Sequence, residues 1–106
     1  HFGLEMAWPC SKRVADSGME DAYRVVFPDV CRHPGYTWTS VPGLGVGGSE
    51  HAEDEVHDRI DFVYHAGPGL DPISASIIGE SCRDADLVVS PFPSDHRAVA
   101  VIYDFD

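Results

Sequence analysis

Basic residues are scarce in this chain of 106 residues: seven Lys and Arg stand against eighteen Asp and Glu, a formal net charge of -11. That deficit argues against a broad surface tracking nucleic-acid phosphates, which draws on clustered Lys and Arg. No apolar run is long enough to span a membrane, and no basic-then-apolar leader opens the chain. The chain starts at His1 rather than an initiator methionine, and a longer parent is the expectation. Cysteine is sparse too. Cys10, Cys31 and Cys82 form no CxxC pair, which argues against a zinc ribbon or a dense disulfide framework. Buried or bystander thiols are expected; one disulfide with one free thiol is the alternative. What is present, 43% hydrophobic and 24% charged residues, is the composition of a globular chain with a modest core.

The pattern of residues predicts helices first and strands after. Ser11 to Ser17 reads as a helix, with Pro9 near its start and Gly18 as its stop. Met19, Ala22, Tyr23 and Val26 recur at helical spacing up to Phe27, and Pro28-Asp29 closes that segment. Cys31 to Tyr36 is a connector. Tyr36 to Ser40 is aromatic and β-branched, as strands are. Pro42 to Asp54 is a Gly-rich, then acidic loop without a GxxxxGK[ST] pattern. Val56 to His65 is the clearest predicted strand, with Ile60, Phe62 and Tyr64 on one face and Arg59, Asp61 and Val63 on the other. Further strands are expected at Ile73 to Ile78, Leu87 to Val89 and Ala98 to Phe105, the last apolar on both faces as an interior strand is. The order implies an α+β fold with a mainly antiparallel sheet and helices on one face.

The candidate chemistry begins at Pro93-Ser94-Asp95-His96, ahead of the last strand. Adjacent strand residues point to opposite faces, so joint action of Asp95 and His96 requires a turn, which Pro91 and Pro93 favour. His96 has the side chain for a general base near neutral pH, and Asp95 for a hard-cation ligand. A solvated Asp-His pair is the structural alternative. Asp61 adds a carboxylate in an otherwise hydrophobic strand, costly if buried alone. A histidine partner would offset that cost and raise the imidazole's basicity. Arg59, two residues away on the same face, is the alternative partner.

Three segments together resemble the endonuclease/exonuclease/phosphatase superfamily of metal-dependent phosphoesterases. Asp58-Arg59-Ile60-Asp61-Phe62-Val63-Tyr64 is similar to its R-[IL]-D-[YF] strand. Ser94-Asp95-His96-Arg97-Ala98-Val99 resembles its S-D-H-x-x-V motif, and Gly35-Tyr36-Thr37-Trp38-Thr39 its G-x-T-W segment. The resemblance implies that His96 deprotonates the attacking water or stabilises the phosphoryl oxygen, that Asp61 orients His96, and that Asp95 helps to bind Mg²⁺ or Mn²⁺. It also places Arg59, Trp38 and Thr37 near the substrate or in support of the site; for Arg59 an ion pair, and for Trp38 core packing, are the structural alternatives.

Only the second half of the family pattern is covered. The Asn and Glu metal ligands and the G-D-x-N motif of the first half do not occur. Residues 1 to 106 therefore resemble the C-terminal portion of such a domain, the second half of a four-layer α/β sandwich, and the chain alone is expected to be inactive. The face that would meet the first half is expected to be apolar, covered by that half or by a second copy in a homodimer. The expected substrate is a phosphoester, a small molecule in preference to nucleic acid. A competing reading is a non-catalytic acidic metal-binding or interaction module, from His51, His57 and His65 among Glu50, Glu53, Asp54, Glu55 and Asp58. Their spacing matches no tight ligand pattern.

Overall fold

A computed structural model describes residues 7–41 and 57–106. Its elements run α1 (Pro9–Asp16), β1 (Glu20–Asp21), α2 (Ala22–Val26), β2 (Tyr64–His65), β3 (Leu70–Gly79), β4 (Leu87–Val88) and β5 (Ala98–Phe105). This is an α+β chain with a two-stranded sheet, β1-β2, and a three-stranded sheet of order β4-β3-β5. Strands are mostly antiparallel, β3 and β4 being a parallel pair. The predicted Gly-rich loop at Pro42 to Asp54 lies outside the described residues.

The chain divides into two units. Among the described residues the first comprises 7–34, 62–75 and 101–106. Here Pro9 opens α1, where its missing N–H would have no partner anyway. Gly18 closes it at φ +88, a left-handed backbone that favours glycine, and donates its N–H to the Ala15 carbonyl at 3.0 Å. α2 buries Ala22 and Tyr23, and the Ala22 N–H donates to the Val63 carbonyl at 2.9 Å. β1 and β2 pair antiparallel, Glu20 opposite His65 and Asp21 opposite Tyr64. The Arg24 guanidinium then gathers the carbonyls of Phe27, His33 and Pro34 at 3.0, 2.6 and 2.8 Å, closing the connector after α2.

Among the described residues the second unit comprises 35–41, 57–61 and 76–100. Its interior is unusually polar: Thr37, Thr39, Ser40 and Arg97 are buried along with Ile77. Such groups are tolerable inside only when hydrogen-bonded, and these are. The Thr37 hydroxyl accepts the N–H groups of Ile60 and Asp61, each at 3.1 Å. The end of β3 pairs with β4 through Ile78 opposite Leu87 and Gly79 opposite Val88. Asp86 pins the intervening loop, its carboxylate and its own N–H meeting Ile77 at 2.7 and 2.8 Å.

Several sequence expectations change. Among the described residues, the long strand predicted from Val56 to His65 is reduced to Tyr64–His65 and a single antiparallel bridge at Asp58. The reason is local: the Ile60 and Asp61 N–H groups go to a threonine hydroxyl instead of a strand ladder. Tyr36 to Ser40 likewise shrinks to Trp38, which bridges Asp58 on one side and His96 on the other. β3 is longer than predicted and contains Pro72. β4 pairs only with Ile78 and Gly79, so the N–H that Pro72 lacks is not needed for that pairing. β5 has the predicted bounds but, among the described residues, stands at one side of its sheet rather than inside it. Of the two forms expected for the cysteines, all three are free and exposed bystanders rather than buried thiols, and none forms a disulfide.

Gly79 has no room for a side chain. A Cβ there would lie 2.9 Å from Arg97 Cδ and 3.1 Å from the Ala85 Cβ. Gly79→Ala should therefore destabilise the chain by about 1–3 kcal/mol, the usual range for overpacking, measured by chemical denaturation. An unchanged midpoint would show that the space is not in fact limiting.

Candidate functional site

Asp61 and His96 meet within the second unit. His96 Nδ1 lies 2.8 Å from Asp61 Oδ2, close to the centre of the range for a charge-assisted hydrogen bond. Backbone contacts on both sides set this distance. Asp61 is fixed through its N–H by the Thr37 hydroxyl. His96 sits in a short turn, its N–H donating to the Ser94 hydroxyl at 3.1 Å. The next residue, Arg97, donates its N–H to the Thr37 carbonyl at 2.7 Å. Thr37 thus bonds to the segments that carry both members of the pair.

Asp95 occupies the bend expected between the prolines and β5. Its carbonyl accepts the Ser40 N–H at 2.9 Å and the Thr39 hydroxyl at 3.2 Å, and its residue is exposed. The Ser40 hydroxyl donates to the neighbouring Ser94 carbonyl. A fixed backbone with an exposed carboxylate beside His96 suits a ligand role. Trp38 packs its indole edgewise on the His96 ring, centroids 5.0 Å apart.

The Asp61 side chain is 41% exposed, so the cost that a carboxylate would carry if buried alone does not arise. What draws Asp61 to His96 is geometry rather than relief of burial, and the pair is open to solvent. The hydrogen bond to Asp61 lifts the His96 imidazole above its ordinary 6.5; burial opposes this, and the charges of Asp61 and Asp95 reinforce it. With Nδ1 committed to Asp61, Nε2 has no hydrogen-bond partner among the described residues and is free to take a proton.

Arg59 makes contacts in the folded chain; Asp61 is nonetheless joined to His96. Thr37 is fully buried and supports the site from beneath. Among the described residues no group of three or more His, Cys, Asp or Glu side chains converges as a metal site would. His65, from the alternative acidic module, is instead buried in the first unit between Glu20, at 3.4 Å, and the Tyr103 hydroxyl, at 3.3 Å. His57 lies beside Tyr36, and His51 with Glu50, Glu53, Asp54 and Glu55 lies outside the described residues.

Two participants escaped sequence reasoning. Arg97, its side chain only 2% exposed, forms a bidentate pair with Glu80, its Nε 2.9 Å from Oε2 and its Nη2 2.5 Å from Oε1. Asp84 approaches the same guanidinium at 3.6 Å. Burial alone would raise the Glu80 carboxyl, but the hydrogen bond and charge of Arg97 hold it below its ordinary 4.5. The sequence signal was faint: single charges flanking the apolar strands β3 and β5.

Comparisons with known proteins bear on the chain's extent. No family model matches it, and no solved structure does. Among curated proteins it is similar to the uncharacterized protein F14F9.5 of Caenorhabditis elegans, 29% identical over 109 aligned positions. The match takes in 99% of this chain but 34% of that protein, so the chain spans about a third of its relative's length.

Two titrations test this geometry. His96 should titrate above 6.5 by NMR, and Asp61→Asn should bring it back down; an unshifted His96 would mean that the pair does not form in solution. The stability this pair contributes is full below 6.5 and disappears as pH rises through the folded value. Glu80 behaves oppositely: its contribution is full above 4.5 and disappears as pH falls through the lowered folded value. Glu80→Gln should therefore flatten the acid limb of a stability-pH profile, whereas an unchanged limb would remove Glu80 from that account.

Proposed function

We propose that the Asp61–His96 pair is half of a site that hydrolyses phosphate esters in a longer protein. The 2.8 Å contact between the carboxylate and imidazole is the observation that carries this reading. It joins two residues 35 positions apart, both within the segments that resemble phosphoesterase motifs. In this reading His96 Nε2 takes a proton from water as the water oxygen bonds to phosphorus and the ester oxygen leaves. Asp61 balances the positive charge that then builds on the ring.

A divalent Mg²⁺ or Mn²⁺ belongs to the same proposal. Asp95 supplies one hard oxygen ligand of the kind these ions take, yet the described residues offer no set of three. This chain's side chains therefore do not by themselves fit a complete metal site, and the remaining ligands are assigned to the rest of the longer protein. That assignment is in keeping with a relative about three times as long. The exposed Ile73, Ile102 and Phe105 of the first unit support the same division of labour, as apolar surface that the remainder of the protein would cover, a homodimer being the alternative. With a net charge of -11, a small phosphoester suits this chain better than a nucleic-acid backbone. No helix among the described residues is long and apolar enough to cross a membrane.

The test is hydrolysis of bis(p-nitrophenyl) phosphate by the longer protein with Mg²⁺ or Mn²⁺. His96→Ala should lower kcat by about 10²–10⁴, the range for removal of a general base. Activity of the wild type should rise with pH through the elevated His96 value; a fall over that range would assign the imidazolium a phosphate-stabilising role instead. Residues 1–106 alone should show no metal-dependent turnover, and turnover by them would contradict the half-site reading.

A further inference from the structure

Arg97 holds Trp38 from three directions. Its backbone N–H reaches the Thr37 carbonyl at 2.7 Å, while its guanidinium reaches the Tyr36 carbonyl at 3.3 Å and the Thr39 carbonyl at 2.8 Å. These carbonyls flank the residue whose indole packs on His96 at 5.0 Å. The guanidinium is aimed by Glu80, which takes its Nε and Nη2 together, and it is shielded from water almost completely. Gly79 leaves just enough space for the Arg97 stem. A buried charge of this kind is destabilising unless paired and hydrogen-bonded, and replacement by packed apolar groups is often neutral or better. Its use here lies in what it orders.

We infer that Arg97, aimed by Glu80, is a positioning residue that clamps the Trp38 segment against His96 and so fixes the imidazole for reaction. The inference rests on the proposed role of the Asp61–His96 pair. The planar guanidinium is what allows one side chain to serve a carboxylate on one side and two separate carbonyls on the other. A lysine ammonium retains the charge but not this fork. The clamp also explains why the residue after His96 is a cation pointing inward although the strand that follows is apolar. Its effect on a reaction would be orientational, since Arg97 is not exposed to a substrate.

The experiment uses Arg97→Lys and Glu80→Gln in the full 106-residue chain, followed by NMR at one fixed pH. In the wild type, cross-relaxation between the Trp38 indole and the His96 ring should be strong. Arg97→Lys should reduce it at least about twofold while signals from Ala22 and Tyr23 in the other unit keep their positions. A folded Arg97→Lys chain with undiminished Trp38–His96 contact overturns the inference. Should that variant fail to fold, Glu80→Gln retains the guanidinium but removes its carboxylate; a partial loss supports the clamp, and no loss overturns it. In the longer protein Arg97→Lys should lower kcat by about 10²-fold, the scale for a misplacement near 1 Å, with KM changed less than about threefold. An equal rise in KM with kcat intact overturns positioning. Loss of the ring contact with no hydrolysis by the wild type leaves the clamp standing and removes the function proposed for the pair.

Discussion

The second unit depends on how Thr37 is bonded. Its N–H goes to the Asp58 carbonyl, its carbonyl takes the Arg97 N–H, and its hydroxyl takes the N–H groups of Ile60 and Asp61. One fully buried residue, through its backbone and its hydroxyl, thereby joins three stretches that are far apart in sequence. The hydroxyl replaces a strand ladder at residues 60 and 61, and this frees the Asp61 side chain from a regular strand's alternation. The consequence is direct: a carboxylate that a continuous strand would aim by register is aimed by a local contact.

Around this point the interior is held by satisfied polar groups as much as by apolar packing. Arg97, Thr39 and Ser40 are buried and each is hydrogen-bonded, and the guanidinium is neutralised by Glu80 with Asp84 nearby. Such a network is directional, so it specifies a geometry more narrowly than apolar contact does. It also places its opposing demands at acidic and basic pH. Low pH removes the Glu80 charge, whereas high pH removes the imidazolium charge of His96 that Asp61 balances. Both the geometry of the site and its stability thus rest on proton-sensitive pairs.

The sequence made some of this legible and concealed the rest for identifiable reasons. α1 was readable because Pro9 and Gly18 mark its ends chemically, and β5 because an apolar run of that length has few other uses. The Asp61–His96 partnership was readable from residue types and their segments. The Val56–His65 strand was misread because alternation records which side chains are apolar, not where backbone N–H groups find acceptors; Thr37 supplied an acceptor from more than twenty positions away. Arg97 and Glu80 were missed for a related reason. A buried ion pair is a pairing between distant residues, and nothing in the local pattern of either names the other. The ligands of the proposed metal were the hardest to read, because the described residues hold no group of three and this chain matches a third of its relative.

The central claim is that Asp61 and His96 act as one unit in phosphoester hydrolysis. A double-mutant cycle in the longer protein tests it most directly, comparing kcat for Asp61→Asn, His96→Ala and the combined variant. Residues that work through each other are strongly non-additive. The account predicts that the double variant is no slower than His96→Ala alone. Losses that multiply, each substitution taking its full toll in the presence of the other, would contradict it.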